Sequence, residues 1–492
     1  MNKVNLSKSR YTRGWQCPKM LWLDIYKSEV GINTMNEAVL ENGNKVGELA
    51  RKLFGEDINI DFNKDLNCMI NDTNKYMNDK PNIITEASFK FENNFCSVDV
   101  LKNDIDGLEI YEVKSSTEVK DVYIQDVSYQ CYILLNLGYK IKKASIVHIN
   151  SNYVRNGNLD IHKLFEIVDV TDKMYDMQDF IKNKIKELND CLSKDIEPNI
   201  DLNQGCMEPY PCPFFQYCTK ELEKDNIFSI ASLSFTKKLD CYKNGIITFK
   251  DIIDSNLSDK YKEQADFTYN NLSPKINKNK IKDFMDTLTY PLYFLDFETY
   301  QEAIPSFDGI RPFMQIPFQY SLHYIDSMDG ELKHKEFLAE AGIDPRRSLA
   351  EALVRNIPKD VCSLAYNMAF ERTVIKNLAE LYPDLSDHLL NIRNNMKDLM
   401  VPFHNRDYYV KEMHGSYSIK AVLPSLFPGD PELDYHNLPV VHKGDEASNA
   451  YATLSNYSEE EQDTIRKGLL VYCQLDTYAM VKIWEKFKEI IK

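Results

Sequence analysis

The chain has 492 residues, with 59 Lys and Arg against 75 Asp and Glu for a formal net charge of −16, 43% apolar types and 27% charged types. This is the composition of a folding chain rather than a disordered one, and at about 100–200 residues per domain it implies two or three domains, each able to bury a core. A single small module is excluded. No run approaches the roughly 18 unbroken apolar residues that cross a bilayer, and the N-terminus has no apolar h-region, so a cytoplasmic protein without a membrane partner is expected. Eleven cysteines, an odd number without a secretion signal, point to reduced thiols or metal ligands rather than a disulfide framework. The acidic balance argues against nonspecific coating of nucleic acid, which feeds on positive charge, but says nothing of a local groove. Lys3, Lys8, Arg10, Arg13 and Lys19 precede the first acid, Asp24, and read as a solvated basic arm in preference to phosphate contacts.

Residues 80–150 alternate strand-like runs (NIITEASFKF, NFCSVDVL, LEIYEVKSS, ASIVHI) with one helical stretch, DVYIQDVSYQCYILLNLG, which closes at Gly138. That is an α/β core. Residues 172–195 keep a polar helical spacing, and 201–218 break into Cys, Pro and aromatics. From 226 to 285 the pattern is helical and irregular and ends in the lysine-rich PKINKNKIK, expected to be an exposed linker. A second α/β signature opens at YPLYFLDFETY, continues through CSLAYN and a helix at 368–380, and ends in a helix at 462–490. The expected domains are 1–225, a helical connector 226–285, and 286–492.

Side chains alternate faces along a strand, so Glu112 and Lys114 of LEIYEVKSS stand side by side while Tyr111 and Val113 point the other way. Asp99 sits between Val98 and Val100, where an unpaired carboxylate is costly to bury. At the ends of adjacent strands, Asp99 and Glu112 could bind one hard divalent ion through oxygen, with Lys114 holding or polarising a water. An exposed cross-strand ion pair is the plain alternative. Val127, Gln130 and Leu134 share a helical face that would pack on the sheet and bring an amide beside the acids. Glu48, in NGNKVGELARKLF, could complete the ligands or be solvated. Together these residues resemble the RecB-like PD-(D/E)XK nucleases over about residues 1–220. The resemblance implies metal ligation by Glu48, Asp99, Glu112 and the Val113 carbonyl, a catalytic Lys114, and a substrate-positioning Gln130.

Cys17 in GWQCPKMLW precedes that core, and Cys206, Cys212 and Cys218 follow it with five residues between neighbours. Closely spaced C-x-x-C pairs, usual for zinc, are absent, whereas a cubane cluster accepts wider spacing. Buried thiols acting as small hydrophobes are the alternative. One Cys before and three after the core resembles the iron–sulphur clasp of AddB-type and CRISPR-adaptation nucleases, which implies a structural [4Fe–4S] cluster on these four. The other cysteines, Cys473 among them, show no grouping in sequence.

In YFLDFETY, Asp296 and Glu298 lie two apart on one strand face and repel unless a cation sits between them. VYCQLDTYAMVKIW puts Tyr472 and Asp476 four apart on one helical face. Between them, LAYNMAFERTVIKNL offers Asn367 as a cap and Glu371 on a stripe with Val374, Ile375 and Leu378. The order resembles the DEDDy exonucleases of the RNase H-like superfamily over about residues 288–490. By that resemblance Asp296, Glu298, Glu371 and Asp476 hold two Mg²⁺ or Mn²⁺ ions and Tyr472 orients the attacking water. Glu371 stands where the family has Asp, and Asp398 is the substitute ligand should Glu371 fail.

The combined expectation is an α/β protein in which a PD-(D/E)XK restriction-endonuclease-like domain precedes a helical connector and an RNase H-like domain. The activity implied is metal-dependent hydrolysis of DNA, with RNA as the other substrate and an unidentified helicase or other repair or defence protein as partner. Two rivals are a catalytically weakened nucleic-acid-binding scaffold and an iron–sulphur redox sensor.

Overall fold

Two stretches dense in β-branched and aromatic residues become the two main sheets of a mixed α/β structure. This computed structural model describes residues 5–32, 37–79, 81–194 and 196–492. The chain divides into two units, Met1–Leu222 with Glu302–Met314, and Glu223–Gln301 with Gln315–Lys492. Among the described residues no helix is long and apolar enough to cross a membrane.

The first unit contains strands β1 (Leu6–Ser7), β2 (Ile58–Asn59), β3 (Ile83–Phe91), β4 (Asn94–Asp104), β5 (Gly107–Lys114), β6 (Ile141–Ile149) and β7 (Phe165–Asp169). They form one sheet in the order β2-β3-β4-β5-β6-β7, with β1 added to β4. Strands β3, β4 and β5 run antiparallel through tight turns. Gly107 closes the second turn at φ 142°, where a Cβ would lie 2.8 Å from the Lys140 carbonyl oxygen. The helix Asp121–Asn136 then crosses over, so that β6 lies parallel to β5. That helix is buried on nearly every side and contacts the sheet as well as the helices Lys8–Gln16 and Gln178–Leu192. Alternation divides the sheet's side chains between two cores: Ile110 joins Val127 and Leu134 on the helix side, while Tyr111 joins Val46, Ala50 and Ala303 on the other.

The basic N-terminal segment is not a solvated arm. Lys3 lies outside the described residues. Ser7 caps the helix Lys8–Gln16 by accepting from the Arg10 N–H, Arg13 pairs with Asp24, and Lys19 pairs with Glu197 at 3.1 Å. Lys8 turns inward onto Glu112. The segment is held by Tyr129, whose hydroxyl donates to the Leu6 carbonyl and whose ring stacks on Tyr11 at 4.5 Å.

The second unit holds a two-stranded ribbon, β8 (Lys275–Ile276) with β14 (Tyr408–Tyr409), and a five-stranded sheet. Its strands are β9 (Leu292–Tyr300), β10 (Ile316–Ile325), β11 (Lys333–Leu338), β12 (Cys362–Ala365) and β13 (Met396–Asp398), in the order β11-β10-β9-β12-β13. The first three are antiparallel, while β12 is parallel to β9 and β13 to β12, leaving β9 central. The C-terminal helix, Glu459–Ile491, starts with a capping box of Ser458 and Glu461 and packs on β9 and β10. Its Thr477 meets Ser321 at 2.7 Å and His323 at 2.8 Å, a buried polar tie to β10. The lysine-rich stretch is not a bare linker. It forms β8 and the helix Lys278–Met285, whose Ile281 is fully buried while the lysines face water. Residues 226–285 belong to this unit and carry a small core of Ile227, Phe249, Ile252 and Ala265.

Replacing Tyr129 with Phe strips the buried Leu6 carbonyl of its donor, and the first unit's urea transition should fall by about 1–3 kcal/mol. Unchanged stability would show that the contact does not hold the N-terminal segment.

Candidate functional site

Two acidic sites and one thiol patch emerge. In the first unit the register Val100↔Tyr111 sets Asp99 of β4 beside Glu112 of β5. Asp99 Oδ2 accepts the Val113 N–H at 2.7 Å. Glu112, 1% exposed, is surrounded by donors: Lys8 Nζ at 2.6 Å and Lys114 Nζ at 2.8 Å on Oε1, and Gln130 Nε2 at 2.6 Å on Oε2. Lys114 also reaches Asp126 Oδ2 at 2.6 Å, and Asp126 Oδ1 accepts from Thr12 at 2.8 Å. Burial works to raise the Glu112 carboxyl, but the Lys114 and Lys8 ammoniums outweigh it and hold it down at about 2. Asp99 goes the other way, up to about 7, because burial and the Glu112 charge exceed the help of Lys8 and Lys114. Gln130 is fully buried and its Oε1 has no partner.

The structure brings Asp99, Glu112, Val113, Lys114 and Gln130 together. On the helix Glu37–Arg51, Val46 and Ala50 face the core, and Glu48, two residues from each, is turned to solvent. That helix reaches the site through Arg51, which pairs with Glu86 at 2.5 Å. Glu86 lies in β3 between Thr85, paired with Val100, and Ala87, paired with Val98, takes φ 56°, and its carboxyl is raised by burial against the pull of Arg51 and Lys8. Nothing in a single sequence marks that positive φ. Lys8, the other addition, lies 4.0 Å from Asp99 Oδ1 as well as on Glu112.

The four thiols named from sequence converge. Cys17 lies between the helices Lys8–Gln16 and Pro18–Tyr26, and every pairing among Cys17, Cys206, Cys212 and Cys218 is close enough for electrostatic interaction. Burial, with the neighbouring thiols adding, pushes Cys212 up to about 12. Backbone bonds shape the loop: the Cys212 N–H donates to the Cys206 carbonyl at 2.9 Å, and the Cys218 N–H to Phe214 at 3.0 Å. Gln16 Nε2 ties both ends, donating to the Gly205 and Tyr210 carbonyls at 2.7 Å each. Gly205 is obligatory there, because a Cβ would stand 2.5 Å from the Gln16 carbonyl oxygen. Met20, Trp22, Leu23 and Phe214 back the patch, and Cys191 joins its edge.

In the second unit, Asp296, Glu298, Asn367, Glu371, Tyr472 and Asp476 line one cavity of about 380 Å³, with no Lys, Arg or His in its wall among the described residues. Central β9 supplies Asp296 and Glu298 on one face, the helix Ala369–Leu381 supplies Glu371, and the C-terminal helix supplies Tyr472 and Asp476. Glu298 and Asp476 are each 8% exposed and Glu371 3%, and Glu371 Oε2 has no hydrogen-bond partner. Burial first, then the neighbouring acids, lifts Asp296 and Glu298 well above the carboxylate range. Burial, with Asp398 adding, lifts Glu371 to about 8; burial lifts Asp476 to about 6 against two tyrosine hydrogen bonds and Lys420.

Asp398 is not a spare ligand. Its carboxylate accepts the N–H groups of Asn367 at 3.0 Å, Met368 at 3.2 Å and Met400 at 2.9 Å, clamping the loop that launches the Glu371 helix. Asn367 is therefore not the cap; it takes φ 68° so that its own N–H meets Asp398. Three participants had no sequence signal. Tyr435 donates to Asp476 Oδ1 at 2.6 Å. Cys473 forms a compact trio with Asp296 and Glu298. Lys420 is the cation whose field reaches Glu298 and Asp476.

Unfolded carboxyls ionise near pH 4, whereas folded Glu371 and Asp476 keep protons up to about 8 and about 6. The folded state thus binds more protons across this interval, and the stability of the metal-free second unit should fall as pH rises from about 5 to 8. Thermal unfolding in chelator checks this; a flat or rising midpoint contradicts it.

Residues 293–418 match a family model described as a domain of unknown function, DUF2779. That interval includes Asp296, Glu298 and Glu371 and stops short of Tyr472 and Asp476. The chain is similar to the uncharacterised protein MG366 of Mycoplasma genitalium, 26% identical over 231 residues, which cover 44% of this chain and 34% of the relative. It is also similar to the uncharacterised protein UU173 of Ureaplasma parvum, 25% identical over 300 residues, 55% of this chain and 42% of the relative. The matches thus span well under half of the length of either curated relative.

Proposed function

We propose that the chain is a metal-dependent nuclease that hydrolyses phosphodiester bonds, with DNA as its substrate and two hydrolytic centres. In this reading the first unit is a RecB-like PD-(D/E)XK domain stapled by a [4Fe–4S] cluster, and the second a DEDDy-like exonuclease domain of RNase H-like type. One observation carries the reading: among the described residues, four acids line a single cavity without a basic side chain in its wall, and a buried Glu371 oxygen there accepts nothing. Such a group either holds protons or binds cations, and an all-oxygen donor set suits Mg²⁺ or Mn²⁺. Divalent ions supply Lewis acidity and an activated water for phosphodiester hydrolysis, and they offset the negative charge of the substrate.

The chain's own residues divide the work. Asp296 and Glu298 would hold ions from the rigid centre of the sheet, with Glu371 and Asp476 closing the set. Tyr435 and Tyr472 fix the Asp476 carboxylate through their hydroxyls. In the first unit, Asp99 and Glu112 form the acidic pair, Gln130 fixes Glu112, and Lys114, steadied by Asp126, is the cation beside the reacting phosphate. The thiol patch fits a cluster by its donors. The patch offers four thiols, the number that a [4Fe–4S] cluster takes. The partial burial of Cys17, Cys206, Cys212 and Cys218 agrees with a structural staple.

Labelled single- and double-stranded DNA and RNA with Mg²⁺ or Mn²⁺ test the reading. Glu112→Ala or Lys114→Ala should lower one cleavage activity, and Asp296→Ala the other, each by about 100-fold or more. Wild-type protein that leaves every substrate intact would contradict the reading and favour a scaffold. For the thiol patch, anaerobically purified protein should be brown and lose its colour on Cys212→Ala; colourless protein with stoichiometric zinc would contradict the cluster.

A further inference from the structure

Lys8 stands where an ion bridging Asp99 and Glu112 would stand. Its Nζ is 2.6 Å from Glu112 Oε1 and 4.0 Å from Asp99 Oδ1, and among the described residues these are the only carboxylates within 4.0 Å of it. Lys114 shares Glu112 Oε1 but is committed to Asp126 on its other side. The two lysines therefore differ: one is anchored by a second acid, while the other is held only by the acidic pair. The backbone of Lys8 is fixed. β1 pairs with β4 just before it, and the Thr12 hydroxyl bonds the Lys8 carbonyl at 3.0 Å. Its side chain is 27% exposed on a flexible four-carbon stem. Asp99, in contrast, is pinned by the Val113 N–H.

We propose that Lys8 is a tethered monovalent cation that holds Asp99 and Glu112 together in the resting site and is displaced when a divalent ion enters. This rests on reading that acidic pair as ion ligands. Ion uptake at the first site is then an exchange, one ammonium for one divalent cation, and the repulsion between the incoming ion and Lys8 is the barrier to occupancy. The displaced ammonium stays on its stem beside the acids, where a phosphodiester oxygen is its natural partner. In the resting protein Lys8 thereby adds to Lys114 in offsetting the charge of two adjacent acids.

The test uses the full-length chain with Asp296→Ala to silence the second site, Mn²⁺ as the probe, and no nucleic acid. Its readouts therefore stand or fall independently of cleavage. Free Mn²⁺ is followed by its electron paramagnetic resonance signal at fixed pH and salt. Lys8→Met should bind Mn²⁺ roughly tenfold or more tighter than the parent, and Glu112→Gln should abolish the binding in both. A purely structural Lys8 predicts unchanged or weaker binding, and either result overturns the proposal, as does a first site that takes up no Mn²⁺ with or without Lys8. If Lys8→Met does not fold, the parent supplies the answer: Mn²⁺ should raise acylation of the Lys8 amine severalfold by mass spectrometry, and unchanged labelling overturns the exchange.

Discussion

Carboxylates crowded into low-dielectric surroundings need positive charge, and both candidate sites are built around that need. The first unit meets it internally: Lys8, Lys114 and Gln130 converge on Glu112, so the site is nearly neutral without any ligand. The second meets it hardly at all: Lys420 is a cation whose field reaches Glu298 and Asp476, and among the described residues no basic side chain lies in the cavity wall. The resting chain resolves the strain there by keeping protons on acids that would ordinarily have lost them.

The surrounding fold is arranged to impose this crowding. β9 cannot retract, because it is central, and its two acids share one face. The Glu371 helix is fixed at its start by the three N–H groups that Asp398 gathers, and the C-terminal helix is tied to β10 through Thr477. In the first unit the pinning is done by the Val113 N–H on Asp99 and by the buried helix that carries Gln130. Sites on rigid elements keep like charges close at the expense of stability, as functional sites commonly do.

Periodicity made the two α/β segments, the Asp99–Glu112 neighbourhood and the Tyr472–Asp476 face legible in sequence, because strands and helices repeat at fixed intervals. The thiol patch was legible through its order and the prolines around it. What escaped was tertiary. Glu48 is exposed on its helix, where Val46 and Ala50 claim the core side. Asp398 looked like a free acid because its three N–H partners come from another loop and its own turn. Lys8 lay in a run of basic residues indistinguishable from a solvated arm, and Glu86 takes a positive φ that single-sequence patterning does not mark. Tyr435 sits 41 residues from Asp476 in a loop with no period.

The central claim is that the second unit's acids are a cation site and not merely a protonated cluster. Electron paramagnetic resonance of the Mn²⁺-loaded full-length chain tests it most directly. A spin-coupled pair of ions, as expected for two metals roughly 3.5–4 Å apart, should be present and should disappear in Asp476→Asn. Mn²⁺ spectra and stoichiometry identical in the parent and in Asp476→Asn would contradict it.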